Sequence, residues 1–342
     1  MSFTSYDPTD IAISSDQVVA PLWSGNVTNL QTFATSSVQG NSVTGLSYLN
    51  IYNLPTYQSG SEVQFSVAYA NVSGSGSAPF NTLVPQNTPT MVLYGQFLNL
   101  IYGDENAQFT FGGSNFVSGD FFVISISRSR YKEALQPGTL NIVLTSGSST
   151  IHLTDNSNES QDTNFIGSNE YYTIVSGSNG VSYNGTDVQT ASGSYGMFFP
   201  NISVLILNAR ALALPYNQGG INMQIDQTTS TSYTANYSTN CNTLFNAINA
   251  GAGFSLMSTE TISAAWFFTR VKNQEYNYTT NPSIIDSNGN LLFATMINNP
   301  QTFPTTIGLY NSSNELLAVA KLSKAVPKDF TKELLLSVKL SF

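Results

Sequence analysis

The stretch Glu333–Phe342, ELLLSVKLSF, has the clearest periodicity in the chain. Its even-numbered positions are large and apolar, while Ser337, Lys339 and Ser341 occupy the alternate positions. A period of two is typical of a strand that buries one face. We therefore predict a final strand in a sheet, with an end that does not fray. Its predicted core-facing residues are Leu334, Leu336, Val338, Leu340 and Phe342.

The residues before this strand also favour β structure. The segment 305–323, TTIGLYNSSNELLAVAKLS, has two apolar runs on either side of the turn-forming cluster Asn311–Asn314. This arrangement predicts a hairpin. Further upstream, residues 261–278 form an aromatic segment, TISAAWFFTRVKNQEYNY, which we assign to another strand.

The rest of the chain alternates short β-rich runs with turns of Gly, Ser and Asn, and the apolar run 88–103 is placed among these strands. We predict a mainly β fold of sandwich- or barrel-like antiparallel sheets with few short helices. The best helix candidate lies at Thr243–Ala250. The predicted organisation is a β-rich domain at 1–210, a polar connection at 211–240 and a β-rich domain at 241–342, with one composite domain as the alternative.

Composition excludes several classes of protein. Charged residues make up 9% of the chain, while hydrophobic residues make up 41% and aromatic residues 12%, which argues against disorder. The net charge of −9 argues against nucleic-acid binding. No apolar run is long enough to predict a membrane span, and the first residues lack the pattern of a signal peptide. Cys241 is the only cysteine, which excludes an intrachain disulfide and a cysteine-based zinc site.

Charge is unevenly distributed along the chain. Residues 1–127 contain seven acidic residues and no Lys or Arg, whereas residues 321–339 carry five Lys against Asp329 and Glu333. A basic tail and an acidic N-terminal part favour head-to-tail contact between copies or contact with a defined partner, and a solvated tail that suppresses aggregation is the alternative. Arg128 and Arg130 are predicted to share a strand face and to pair with a neighbouring subunit, or else to form a local ion pair. The predicted assembly residues are Lys321, Lys324, Lys328, Lys332, Lys339, Arg128 and Arg130.

Catalytic and metal-binding patterns are weak. His152 is the only histidine, and Asp155 follows it by three residues, but no nucleophile elbow accompanies them. The adjacent carboxylates Asp104 and Glu105 point to opposite faces if the segment is a strand, so they do not form a glycosidase pair. The oxygen-rich segment Asp155–Asp162 lacks the spacing of an EF-hand, although a loop calcium stays open. We predict a protein that is not an enzyme and has no cofactor.

Long motifs along most of the chain carry a family resemblance. Near the C-terminus these are FFTRVKNQEYNYTTNPS at 267–283 and NNPQTFPTTIGLYNSSNELLAVAKLSKAVPKDFTKELLLSVKL at 298–340, and upstream they include YGQFLNLIYGDEN and SRSRYKEALQPGTLNIVL. The chain resembles structural proteins of contractile-tailed bacteriophages, especially myoviruses of cyanobacteria and related marine hosts. The polar segment 218–239 has no counterpart in this resemblance.

The resemblance implies a function in a virus particle. It implies a non-enzymatic virion component, which is assembled in the host cytoplasm and contacts other virion proteins and further copies of itself, but it does not settle the position in the particle. We predict the tail or baseplate region. A neck or capsid-decoration component is an alternative within the particle. A carbohydrate-binding adhesin for host recognition is the alternative from another class, because exposed aromatic rings stack on sugars.

Overall fold

The computed structural model describes residues 5–35, 48–77, 79, 87–104, 106–159, 164–227, 239–278 and 281–342. The chain forms two compact units, Met1–Gln17 with Thr261–Phe342, and Val18–Glu260. We call them the smaller unit and the larger unit. The sequence predicts a connection at 211–240. Its described residues, 211–227 and 239–240, belong to the larger unit, and 228–238 are outside the described ranges.

Strand accounts for 41% of the structure and helix for 15%, which confirms the mainly β prediction. The strands are β1 (Ile11–Pro21), β2 (Asn29–Leu30), β3 (Ala34–Thr35), β4 (Tyr48–Tyr52), β5 (Val63–Asn71), β6 (Phe109–Thr110), β7 (Val117–Ser118), β8 (Asp120–Ile126), β9 (Ala134–Leu135), β10 (Asn141–Ser146), β11 (Ser149–Asp155), β12 (Asn164–Ile166), β13 (Asn169–Ser178), β14 (Val181–Ser182), β15 (Gly196–Phe199), β16 (Val204–Asn208), β17 (Phe254–Ser255), β18 (Met257–Val271), β19 (Thr306–Tyr310), β20 (Leu316–Lys321) and β21 (Leu334–Ser341). The helices are α1 (Pro89–Tyr102), α2 (Ala209–Ala213), α3 (Thr239–Gly251) and α4 (Thr295–Asn298), with 3₁₀ turns at Pro8–Asp10, Arg128–Arg130 and Tyr216–Gln218.

One large antiparallel sheet organises the larger unit. Its strand order is β2-β17-β10-β11-β13-β15-β16-β8-β5-β4-β3, and β12 and β14 pair with β13 beside this path. Consecutive strands of the central part pair as neighbours, for example β15 with β16, so hairpin connections build much of the sheet. Such local pairing is typical of an antiparallel fold.

The central strands of this sheet are buried on both faces. In β5, Phe65 and Val67 belong to one buried cluster, while Ala68 and Ala70 belong to the other. The strands β8 and β16 alternate between the same two clusters. Because both faces are covered, these strands are apolar at nearly every position, and a period of two is absent from sequences such as DFFVISI.

A helix covers each face of the sheet. Helix α3 contributes Leu244 and Ile248 to the first cluster and packs on β10 and β5. Its position confirms the helix predicted at Thr243–Ala250. Helix α1 contributes Phe97 and Leu98 to the second cluster and packs on β5. The sequence prediction of strand structure for residues 88–103 is therefore wrong.

Capping residues determine where α1 begins and ends. The Thr88 hydroxyl accepts a hydrogen bond from the Met91 amide at 3.4 Å and donates one to the Gly74 carbonyl at 2.9 Å. Pro89 follows at the first helical position, where a missing amide hydrogen has no cost. Gly103 ends the helix with φ of 70°, in the left-handed region where glycine is favoured.

Replacing Thr88 with alanine is expected to lower the free energy of unfolding by about 1 kcal/mol or more. The substitution removes the N-cap oxygen and leaves the Gly74 carbonyl without its donor. Chemical denaturation measures the change, with Thr88→Ser as the control because serine keeps the hydroxyl. A Thr88→Ala protein as stable as Thr88→Ser would contradict the capping role.

A buried carboxylate connects several segments of the larger unit. Asp120, at the start of β8, is almost fully buried. Its Oδ2 accepts hydrogen bonds from the Tyr69 hydroxyl at 3.0 Å and the Gln227 amide at 3.2 Å. Its Oδ1 accepts one from the Arg210 Nε at 3.2 Å. Burial, and then the charge of Asp120, raise the pKa of Tyr69, so the tyrosine stays a donor to the carboxylate.

The smaller unit contains a hairpin and most of a second sheet. Strand β21 pairs with the second half of β18 from Ala264↔Ser341 to Val271↔Leu334, and β1 is the other neighbour of β18 in the strand order. Strands β19 and β20 form the predicted hairpin. Its buried residues Ile307 and Leu309 pack with Val338 of β21 in the core of this unit.

The end of the chain differs from the prediction in one respect. The alternation predicted for β21 is observed, since its even-numbered residues from Leu334 to Leu340 are buried or half-buried. The Phe342 side chain, however, is 79% exposed, so its predicted place in the core is wrong. The strand ends at Ser341, and only the backbone amide of Phe342 is held, by the Ser263 carbonyl at 2.9 Å.

Candidate functional site

One face of the β19–β20 hairpin is apolar and exposed. Alternation directs Ile307 and Leu309 inward and places their neighbours on the other side. Leu317 and Val319 on β20 are 69% and 60% exposed. Val319 pairs with Gly308, and a Cβ atom on that glycine would lie 2.8 Å from the Tyr310 ring, so the ring lies close over the strand. We call Thr306, Tyr310, Leu317, Val319 and Lys321 the outer hairpin face.

Exposed apolar side chains extend through the rest of the smaller unit. Its buried apolar residues, within the described ranges, are Ala264, Ala265, Val271, Ile307, Leu309 and Val338. Its exposed large hydrophobic residues outside the outer hairpin face are Ile11, Ile13, Tyr276, Tyr278, Leu292, Phe293, Ile297, Phe303, Leu316, Phe330, Leu335 and Phe342. Extended apolar surface on a folded unit is a mark of an interaction site. This surface was not predicted from the sequence, where apolar residues such as Phe342 were assigned to a core.

Most of the predicted assembly lysines are on the surface. Lys321 and Lys324 are exposed, and neither forms an ion pair within the described ranges. Lys332 is exposed beside Asp329, at 3.6 Å. The Lys339 ammonium contacts Asp16 and lies 5.2 Å from the centre of the Trp266 ring. Two of these four lysines are therefore free to meet charges on another molecule.

Lys328 does not belong to this surface, and its assignment to an exposed contact is wrong. Its side chain is 0% exposed. The ammonium donates to the Asn273 carbonyl at 2.9 Å, to Asn277 Oδ1 at 2.8 Å and to the Asp329 carbonyl at 3.0 Å. The backbone of Lys328 also bridges to Thr302 in both directions. These bonds connect the loop after β18 to the segment before β21.

Arg128 and Arg130 also differ from the prediction. They lie in a 3₁₀ turn after β8 and do not share a strand face. The Arg128 guanidinium donates to the Tyr131 and Lys132 carbonyls at 2.6 Å each. Arg130 pairs with Glu62 at 2.8 Å. Both side chains have partners within the larger unit, so the local ion pair that the sequence analysis left open is present.

The larger unit contains a polar cleft of about 330 Å³. It lies at the C-terminal end of α1, where the Asn169 amide donates to the Leu100 and Ile101 carbonyls. The Tyr102 hydroxyl is buried and has no hydrogen-bond partner within the described ranges. The residues that line the cleft are Tyr102, Thr110, Gly112, Gly113, Asn164, Ile166, Tyr171, Thr173, Asp187, Ser194 and Met197.

Comparisons with known proteins give no further guide to this surface or this cleft. No protein-family model, curated protein or solved structure matches the chain.

The catalytic pairs considered in the sequence are not brought together. His152 is exposed on β11, and Asp155, three residues later on the same strand, is buried, as expected for opposite faces. Asp104 accepts hydrogen bonds from the Asn106 backbone and side-chain amides in the turn after α1, and Glu105 lies outside the described ranges. No helix in the described ranges has the length and apolar character that a membrane span requires.

The described part of the segment considered for calcium contains one buried carboxylate, Asp155. Asp155 Oδ2 accepts a hydrogen bond from the Gly138 amide at 2.7 Å, while its Oδ1 has no partner within the described ranges. Residues 160–163, which include Asp162, are outside those ranges. No group of three or more His, Cys, Asp or Glu side chains in the described part of the chain is placed to hold a metal ion.

Replacing Asp155 with asparagine is expected to increase stability at neutral pH. Burial raises the pKa of Asp155 above 3.8, so the folded chain holds the proton more tightly than the unfolded chain. The free energy of unfolding therefore falls as pH rises from 3.8 through the folded pKa, by up to about 1.4 kcal/mol per pH unit, and the asparagine variant lacks this fall. Urea denaturation between pH 3 and 8 measures the difference, with Asp104→Asn as the exposed control. An unchanged pH profile in Asp155→Asn would contradict the expectation.

Proposed function

We propose that this chain is a non-enzymatic structural component of a contractile-tailed phage particle, in the tail or baseplate region, and acts through protein–protein contacts of its smaller unit. The observation that carries the proposal is the number of exposed apolar side chains in that unit, above all those of the outer hairpin face. Burial of apolar area contributes roughly 25 cal/mol per Å², so burial of side chains such as Leu317 and Val319 at a contact would stabilise an assembly. The resemblance to phage structural proteins supports the placement in a virus particle.

The charge distribution also supports an assembly role. With 9% charged residues, the chain has few ions to desolvate when surfaces are buried between subunits. The interiors of protein interfaces are likewise depleted in charge and enriched in aromatic residues.

Strand β21 is at an edge of its sheet in the strand order, which leaves backbone groups able to pair with another strand.

Replacing Leu317 and Val319 together with glutamate is expected to block incorporation into particles, because the two charges would have to be buried at the contact. Both side chains point away from the core of the smaller unit, so the free energy of unfolding should change by about 0.5 kcal/mol or less per site. Circular dichroism and thermal melting establish the fold, and immunoblotting of purified particles measures incorporation. The control is Tyr57→Glu, which places a charge at an exposed aromatic residue of the larger unit.

The proposal fails if the folded Leu317→Glu/Val319→Glu protein enters particles at the wild-type level. It also fails if an electron cryo-microscopy map of the particle has no density for the chain.

A further inference from the structure

The cleft at the end of α1 has a negative character. The residues that line it include the Asp187 carboxylate and no lysine, arginine or histidine. Asp187 is exposed, and its Oδ1 accepts one hydrogen bond, from the Asn156 amide at 2.9 Å. The carboxylate therefore retains further acceptor positions that a ligand can use.

Helix α1 adds to this negative character. It ends at Tyr102, a residue that lines the cleft, and the carbonyl end of a helix carries a partial negative charge that favours cations. Burial, followed by the neighbouring Tyr102 and Asp187, raises the pKa of Tyr171, so the Tyr171 ring is neutral beside a carboxylate. The cleft thus favours a positively charged occupant.

The shape and chemistry of the lining specify which cation fits. The Tyr102 hydroxyl has an unused hydrogen-bonding capacity, and a primary ammonium offers three donors and no acceptor. The rings of Tyr102 and Tyr171 suit an ammonium group through cation–π attraction. Ile166 and Met197 provide apolar contacts for a methylene chain, which is how a lysine side chain is normally accommodated when its stem is covered.

The cations of the larger unit are already engaged. Arg130 pairs with Glu62, Lys132 with Glu260 and Arg210 with Asp120, while Arg128 bonds to backbone carbonyls. In the smaller unit, by contrast, Lys321 and Lys324 are exposed and form no ion pair within the described ranges. Lys321 is also part of the outer hairpin face, so a contact through that face would bring its ammonium to the partner surface.

We infer that the cleft of the larger unit binds the ammonium group of a lysine from the Lys321–Lys324 segment of a second copy of this chain. The inference rests on the proposed assembly function and names the partner of one of its contacts. It makes the contact heterologous, with two different surfaces that meet, so copies add head to tail.

The test is a charge exchange between two variants of the full chain. One variant carries Asp187→Lys, and the other carries Lys321→Asp together with Lys324→Asp. Sedimentation velocity measures the self-association of each variant, of the wild type and of a mixture of the two. The matched control is Lys272→Asp, an exposed lysine of the smaller unit outside the inferred segment.

The wild type is expected to self-associate, and this association should weaken as salt is added. Each charge-exchange variant alone should self-associate with an affinity at least tenfold lower. The mixture should regain association, because each variant supplies the charge that its partner lacks. Asp187→Asn keeps the acceptor for Asn156 and should also weaken association. Tyr102→Phe, which removes only the hydroxyl, should have a smaller effect in the same direction.

Three results would overturn the inference. These are a wild type that stays monomeric at the highest concentration reached, charge-exchange variants that associate as the wild type does, and a mixture that fails to regain association. The proposed function has a separate readout. The Leu317→Glu/Val319→Glu protein could be absent from particles while the Asp187→Lys protein is incorporated at the wild-type level. In that case the proposed assembly function stands and the inferred lysine contact is wrong.

Discussion

Replacing Lys328 with methionine is expected to lower the free energy of unfolding by about 3 kcal/mol, because the buried Asn277 Oδ1 loses its donor and two backbone carbonyls each lose a charged one. Methionine has a similar length and fills the same volume, so packing changes little. Asn277 Oδ1 would be left without a donor, while the Asn273 and Asp329 carbonyls would keep one backbone or side-chain amide donor each. Chemical denaturation measures the loss, and hydrogen exchange of the amides of Thr302 and Lys328 locates it.

The matched control for Lys328→Met is Lys332→Met in the same segment. Lys332 is about half exposed, so solvent screens its contact with Asp329, and the Asp329 carboxylate keeps its hydrogen bonds from Thr331. Removal of the Lys332 charge should therefore cost about 0.5 kcal/mol or less. Equal effects of the two substitutions would show that the buried ammonium is not a structural connection. Reversal of Lys328 to glutamate is expected to unfold this region, which is why a charge-reversal test of assembly must use the exposed lysines.

Replacing Asp120 with alanine is expected to lower the free energy of unfolding of the larger unit by about 3–5 kcal/mol. The substitution removes the acceptor shared by Tyr69, Arg210 and Gln227, and it leaves the buried Tyr69 hydroxyl without an acceptor for its proton. Urea denaturation followed by tryptophan fluorescence measures the change, because Trp23 lies in the core of the same unit.

Substitutions of the partner arginine separate the role of charge from that of the hydrogen bonds. The Arg210 side chain is 55% exposed, so solvent screens its charge and Arg210→Met should cost only about 1 kcal/mol. Lys132→Met, which breaks the surface pair with Glu260, should cost less still. If Arg210→Met lowers the free energy of unfolding as much as Asp120→Ala does, then the ion pair, and not the buried hydrogen-bond network, accounts for most of the stabilisation by Asp120.

Secondary structure is predictable from the sequence where only one face of an element is buried. The alternation of β21 and the hairpin turn at Asn311–Asn314 are confirmed because solvent covers their other faces. Helix α1 is missed because apolar residues such as Met91, Val92 and Leu100 also occur on its exposed side and obscure the helical period. Its cap residues, Thr88, Pro89 and Gly103, were the signal that could have identified it.

The site residues were less predictable, since tertiary contacts decide them. A lysine in a polar, charged segment is normally exposed, and nothing near Lys328 in sequence shows that Asn273 and Asn277 will enclose it. The cleft brings together Tyr102, Tyr171 and Asp187 from separate segments, and the sequence holds no spacing that links them. The exposure of Leu317 and Val319 also depends on which face of the hairpin meets β21.

The smaller unit is assembled from two distant parts of the chain, and this affects the order of folding during synthesis. The larger unit is one continuous segment, Val18–Glu260, and can fold once that segment has left the ribosome. Residues 5–17 are made earlier but must wait for 261–342, an interval on the order of tens of seconds at normal elongation rates. The surface proposed for assembly therefore forms last, so a nascent chain cannot recruit its neighbours before its own larger unit is complete.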